Sequence, residues 1–376
     1  MNECGAKVGI FDESSKILVT IYLLATKCVN KLKMRRLTKK VAEKFVFLEY
    51  FLYLCTINKI RIKYIRDIMI NFSKFNSLYS VATYFNTEEK CQQAIVESRW
   101  GDDVVCPYCG KHNCHKRADG RFCCSQCRKN FSEKVDTIFE NTKIDLRKWF
   151  MAMYLISSHK KGISSHQLAR DIDVTQKTAW FILQKIRTLF AQDDTIALEG
   201  DVECDEAYIG GREKNKHESR RTPGTQGRST KTKTPVFGMV QRGGKVIAVK
   251  CEKTDGATLL PLIGQFIAEG SNVYTDELNS YNGIDETKYT HKVVNHGRKE
   301  YVKGGDFTNT IEGFWGTLKR MIEGIYHSIS SKYLQRYVDE AVYRYNCRKM
   351  KGCDCFRDMF AASIGVVDYK MVKLAA

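Results

Sequence analysis

The chain has 376 residues, enough for two or three domains with cores of their own, and its 43% apolar content fits a soluble globular protein. Lys and Arg outnumber Asp and Glu by 18 charges, which points to an anionic partner, nucleic acid first, although a ribosome-like or membrane-surface protein would share that balance. The 15 cysteines are odd in number and mostly scattered, so they do not read as a disulfide framework; tight C-x-x-C pairs argue for metal in a reducing compartment.

Residues 1–76 read as an N-terminal extension without an assignable role. The apolar run at 17–26 is too short to span a bilayer. Asp12 and Glu13 precede it, which is wrong for a signal peptide. Neither a membrane nor secretion is therefore expected, and the location is intracellular: nucleus in a eukaryote, cytoplasm or nucleoid in a bacterium. The basic stretch at 31–40 suits a nuclear address, a DNA-backbone contact or a solvated face equally well.

Residues 77–138 read as a zinc-ribbon module. A short amphipathic helix over 88–98 leads through Trp100 into Cys106-Pro-Tyr-Cys109-Gly, and a second pair follows at Cys124 and Cys127. Four thiolates in two C-x-x-C knuckles make a closed tetrahedral site, the arrangement of structural Zn²⁺, and a module this small draws its folding energy from the metal. Gly110 suits the tight turn after a knuckle. Cys114, His115 and Cys123 are surplus ligands nearby. Arg128 and Lys129 belong to a basic set suited to DNA phosphates or simply to a solvated surface.

Residues 139–198 read as a helix-turn-helix DNA-binding region. A helix over 145–158 carries Trp149, Phe150, Met153 and Tyr154. Residues 163–180 then read as helix, turn, helix, with Ser164 or Ser165 capping the first and Thr175 the second. Gln176, Lys177 and Thr178 open the second helix, where a recognition helix meets base edges; a plain helical hairpin is the alternative.

Residues 199–350 read as an α/β catalytic domain, and 351–376 as a C-terminal tail; the whole is an α+β multidomain chain. Strands are expected over 201–211, 236–240 and 246–251, the last two joined at Gly243-Gly244. A helix over 257–268 and a buried strand over 272–276, ending in Asp276, come next. The helix over 308–320 carries Glu312 and, two turns on along the same side, Lys319. Its apolar stripe is Ile311, Phe314, Trp315, Leu318, Ile322 and Ile325. Three strands, a helix, a strand ending in an acid and a later acid on a helix follow the order of an RNase H-like core. Phosphodiester cleavage by in-line attack builds charge on both apical oxygens, and two Mg²⁺ (or Mn²⁺) roughly 3.5–4 Å apart offset it. Asp205, Asp276 and Glu312 are the candidate ligands. Asp201, Glu203 and Glu206 compete for the place of Asp205, and a capping box from Asn309 and Glu312 is an alternative use of the third acid. An amphipathic helix over 330–349 is expected to pack on this core.

Taken in order, CPYCG, CRKNFS, VECDEAYIGG, VYTDE and TNTIEGFWGTLKR resemble the ISXO-like insertion-sequence transposases and their eukaryotic Merlin relatives over about residues 77–348. The resemblance implies a DDE transposase that binds terminal inverted repeats, cuts DNA with divalent metal and transfers the freed strand to target DNA. It carries the acids onto Asp205, Asp276 and Glu312, with Asn309 as second choice for the third, and the basic partner onto Lys319. Phe307 departs from the His expected there, and His296 matches a family position. Holding two DNA ends implies a homodimer or larger assembly. The alternative function is a catalytically silent, transposase-derived DNA-binding protein; an RNase H-like repair nuclease is a third.

Overall fold

The structure, a computed structural model, describes residues 70–192, 197–211, 215–223, 229, 231–294 and 308–365. The expectations for residues 1–69, His296 and Phe307 lie outside the described residues. No described helix is long and apolar enough to cross a membrane.

Two short helices come first, α1 (Leu78–Tyr84) and α2 (Glu88–Trp100), capped by Ser77 and Thr87. A three-stranded antiparallel ribbon follows: β1 (Cys114–Lys116), β2 (Phe122–Cys124) and β3 (Asn130–Phe131). The buried part of its apolar cluster is Trp100, Cys106, Phe122, Cys124 and Phe131, with Val104, Val105 and Val135 partly buried against it. A core that small cannot offset chain entropy by itself, which is why the four thiolates matter to it.

Three helices continue the chain: α3 (Leu146–Ser158), α4 (Ser165–Asp171) and α5 (Gln176–Arg187). Asp145, Ser164 and Thr175 each accept a backbone N–H at their N-termini. Trp149, Phe150, Leu168, Ile182 and Ile186 share one core with Phe85, which follows α1, and Ile95 of α2.

The remainder is a mixed five-stranded sheet with helices on both faces. In chain order it contains β4 (Asp201–Ile209), β5 (Thr234–Gln241), β6 (Val246–Lys250), α6 (Gly256–Phe266), β7 (Asn272–Thr275) and β8 (Thr290–Val293). The strand order is β6-β5-β4-β7-β8, antiparallel among the first three and parallel from β4 to β8. Helix α6 covers one face through Leu259 and Ile263. The other face lies under α7 (Asn309–Met321) and α8 (Leu334–Asn346). Alternation along β4 sends Cys204 toward α6 and Ala207 toward α7.

Three expectations change. The helix holding Ile311, Phe314, Trp315 and Leu318 passes into a π turn at Ile322–Tyr326. Met321, three residues after Leu318, joins the buried stripe on ordinary α-helical spacing, and the wider turn beyond it takes Ile325 out. Residues 352–363, assigned to a tail, form α9 (Gly352–Ser363) and bury Phe356 and Phe360 in the helical core, where Phe360 meets Phe150 edge-on at 5.3 Å. Phe72 and Phe75, assigned to the extension, pack against Phe356.

Candidate functional site

Strand β4 carries the densest run of acids in the chain, and each side chain has its own task. Asp201 accepts bonds from Asn272 Nδ2 at 2.8 Å and Tyr274 O–H at 3.2 Å, stitching β4 to β7. Glu203 is fully buried beneath the start of α7. Its carboxylate accepts the backbone N–H groups of Thr310 and Ile311 at 2.9 and 3.0 Å, the Thr310 hydroxyl at 2.9 Å and Arg242 Nε at 2.9 Å. It thereby fills the capping role that was the alternative for Asn309 and Glu312: a carboxylate from the sheet satisfies open donors of the helix N-terminus, while Thr308, at the cap position, makes no side-chain cap bond. Neither Asp201 nor Glu203 is free to serve as a ligand.

Asp205 is partly buried between β4 and α7. Trp315 Nε1 donates to its Oδ2 at 3.0 Å. The ring reaches it because the residue paired with Asp205 on β5 is Gly238, where a Cβ would stand 2.6 Å from Trp315. Burial pushes the Asp205 carboxyl up to about 6, and the negative charges of Asp276 and Glu312 push the same way. Strand β7 runs parallel to β4 with Glu203 opposite Tyr274; continuing that register sets Asp276, just past the strand end, beside Asp205. Asp276 accepts the Leu278 N–H at 3.0 Å, which turns the chain there.

Carboxylate oxygens of Asp205, Glu206 and Asp276 lie within 4.8 Å of one another. Glu206, on the opposite face of β4, accepts a hydrogen bond from the Tyr281 hydroxyl. The sequence reading had Glu206 only as a competitor of Asp205; its place next to Asp205 in the chain was the signal available. Glu312 is exposed on the first turn of α7 and stands outside this close trio, since it belongs to the layer above the sheet. It does line the same cavity of about 870 Å³, together with Asp205, Glu206, Asp276 and Lys319. Asn309 is exposed and is not among the residues lining that cavity. An all-oxygen set of clustered carboxylates suits a hard divalent cation such as Mg²⁺ or Mn²⁺.

In the ribbon, Cys106, Cys109, Cys124 and Cys127 converge. Cys106 and Cys127 sulfurs are 3.6 Å apart, as are those of Cys109 and Cys124. Tetrahedral Zn–S bonds of about 2.3 Å require sulfurs roughly 3.8 Å apart, so the donors fit Zn²⁺. The two knuckles repeat one geometry: Gly110 N–H bonds Cys106 O at 2.9 Å, and Arg128 N–H bonds Cys124 O at 2.8 Å. Gly110 and Arg128 both have positive φ, 68° and 56°. Cys114, His115 and Cys123 lie outside this cluster.

Of the residues expected to meet DNA, Gln176, Lys177, Arg128 and Lys129 are exposed. Gln176 Nε2 donates to Ser165 Oγ at 2.8 Å, and Thr178 is tied to the Thr175 cap at 2.9 Å. Lys129 lies over the Tyr108 ring at 4.9 Å.

Residues 197–346 match the ISXO2-like transposase domain, and residues 86–130 the transposase zinc-ribbon domain. A Halobacterium salinarum protein described as an uncharacterized protein in transposable element ISH50 is 32% identical over 251 residues, covering 63% of this chain and 84% of its own. An uncharacterized transposase-like protein of Haemophilus influenzae is 30% identical over 107 residues, 28% of this chain and 85% of its own. Among solved structures, a pre-cleavage Mos1 transpososome chain aligns with 79% of this chain and 98% of its own at 12% identity; its TM-score of 0.23 is too low to carry an argument.

Proposed function

The chain belongs to the ISXO2-like transposase family, and on that premise we propose that it binds the terminal inverted repeats of its element, cuts the DNA there with a divalent metal, and transfers the freed strand to target DNA. The observation that carries this reading is the convergence of Asp205 and Asp276, from neighbouring parallel strands, on a cavity also lined by Glu312 and Lys319. The strand order, with its antiparallel half and parallel half, supports an RNase H-like core.

Asp205, Asp276 and Glu312 would hold Mg²⁺ or Mn²⁺, with Glu206 at hand beside the first two. When bound, the metal offsets charge on the attacking and leaving oxygens of an in-line displacement. Trp315 holds the Asp205 carboxylate in one orientation and keeps bulk water off one oxygen. Glu203 holds the start of α7, and with it Glu312, against the sheet. Lys319, two turns along α7, is the cation that pairs with a DNA phosphate. The reaction needs no covalent enzyme intermediate: water cuts first, and the freed 3′-hydroxyl attacks second.

DNA recognition falls to α4 and α5 as a helix-turn-helix, with Gln176, Lys177 and Thr178 at the base edges, and to the ribbon, whose Arg128 and Lys129 meet phosphates. The cysteines hold structural Zn²⁺. Two ends must be held at once, which calls for a homodimer or larger assembly.

A strand-transfer assay with Mg²⁺ tests the reading on DNA carrying the element ends. Wild type is expected to cut and join, and Asp276→Asn to bind the ends without cutting. If both bind and neither cuts, the protein is a silent DNA-binding derivative.

A further inference from the structure

A second cavity, of about 710 Å³, lies between α4–α5 and the π turn after α7. His327 and Ser328 line both this cavity and the catalytic one, so a single stretch of chain separates the two spaces. Its walls combine aromatic faces, Trp180 and Tyr326, with hydrogen-bonding groups, Ser165, His166 and Gln176.

Arg187 also lines it, at 1% exposure. Its Nε donates to Glu340 at 2.8 Å, yet Nη1 and Nη2 have no hydrogen-bond partner. The guanidinium lies 4.0 Å from the Tyr337 ring centre and 4.9 Å from that of Tyr326. Glu340 is shared with Arg344, whose Nη2 lies 2.6 Å from its other oxygen. One carboxylate thus faces two guanidinium groups, and one positive charge is left over at the base of the cavity. Both Nη atoms are sealed from solvent, so an anion in the cavity would answer the surplus charge of the guanidinium rather than bond directly to Nη1 and Nη2.

We propose that this cavity receives one unpaired nucleotide of the DNA strand entering the catalytic cavity, its phosphate drawn by the surplus charge of Arg187 and its base stacked on Trp180. The inference rests on the transposase reading. The volume is far larger than a phosphate needs and admits one nucleotide, not a stacked duplex. Aromatic rings beside an Arg are the groups that hold unstacked bases. Because His327 and Ser328 line both spaces, a nucleotide held in this cavity adjoins the strand in the catalytic one.

The test compares binding of two DNA duplexes to the full chain in Ca²⁺, one blunt and one with a short single-stranded tail bearing 2-aminopurine. Wild type is expected to bind the tailed duplex about tenfold more tightly and to quench the fluorophore, the scale of one base–aromatic stack. Trp180→Ala removes both effects, and Trp180→Phe restores most of the preference. Arg187→Lys is a second variant, but Trp180 decides because it lies at the cavity wall and is not buried in an ion pair. Equal affinity for the two duplexes, or a tail preference that survives Trp180→Ala, overturns the proposal. So does competition by inorganic phosphate as effective as that by a deoxynucleoside monophosphate, because the cavity would then be a bare anion hole. The same DNAs with Mg²⁺ separate the two readings: cutting without tail preference ends this proposal alone, and tail preference without cutting ends the transposase reaction alone.

Discussion

Glu203 and Asp205 show how neighbours of like chemistry diverge. They project from the same face of one strand two residues apart, yet one is a fully buried structural group and the other lines the acidic cavity. What separates them is the entry point of α7. Its N-terminus lies over Glu203, which becomes the cap, while Trp315 reaches down one turn later to Asp205. Glu203→Ala would leave Arg242 without its carboxylate and three helix-end donors open. The expected loss is about 3–5 kcal/mol, the scale for breaking a buried ion pair, read as a lower urea midpoint. Since the start of α7 also holds Glu312, cutting should fall further than folding alone explains, at temperatures where the variant is still folded.

The elements differ in what stabilises them. The sheet buries apolar residues on both faces, whereas the buried cluster of the ribbon is three aromatic rings and two of its four knuckle cysteines. Chelation of Zn²⁺ is therefore expected to release residues 104–131 while β4, β5 and β7 stay protected. Amide hydrogen exchange with and without chelator checks this; equal protection of the ribbon in both states would mean the metal is dispensable to it. Helices α4 and α5 need no such help. Their Ser164 and Thr175 caps and their buried Leu168, Ile182 and Ile186 place them in the main helical core.

At the scale of the whole molecule, the helical layer is tied to the sheet through α8. Arg187 of α5 and Arg344 hold Glu340 well down, at about 2 against its burial, while burial pushes its neighbour Asp339 up to about 6. Asp339 accepts bonds from Gln192 and Gln335 at 2.7 and 2.8 Å, which offset only part of that burial. The two acids act with opposite sign. The depressed Glu340 contributes stability above the ordinary carboxylate value, and this is lost as pH falls from about 4.5 toward 2. The raised Asp339 binds a proton more tightly folded than unfolded, so its contribution falls as pH rises from about 4 through 6. Urea unfolding across pH 4–7 should therefore show wild type losing ground to Asp339→Asn as pH rises through about 6. A constant difference between the two would contradict the assignment of that slope to Asp339.

The motif-bearing parts were legible because each is local. A C-x-x-C knuckle, a Ser or Thr before a periodic helix and an acid closing a short apolar strand are set by neighbours a few residues away, so Cys106, Ser164, Thr175 and Asp276 stand where spacing predicts. The amphipathic stripe of α7 was legible for the same reason, up to the π turn that local periodicity does not announce. Allocation among similar groups was not local. Which β4 acid caps a helix, which joins Asp276, and whether residues 352–363 trail off or pack on Phe150 depend on where distant elements cross. The alternation of side chains is written in the chain, but the partner that each side chain meets is chosen by packing. Only the folded molecule could therefore bring Asp276 beside Asp205 and Glu206, and leave two buried Arg187 donors unpaired next to a cavity.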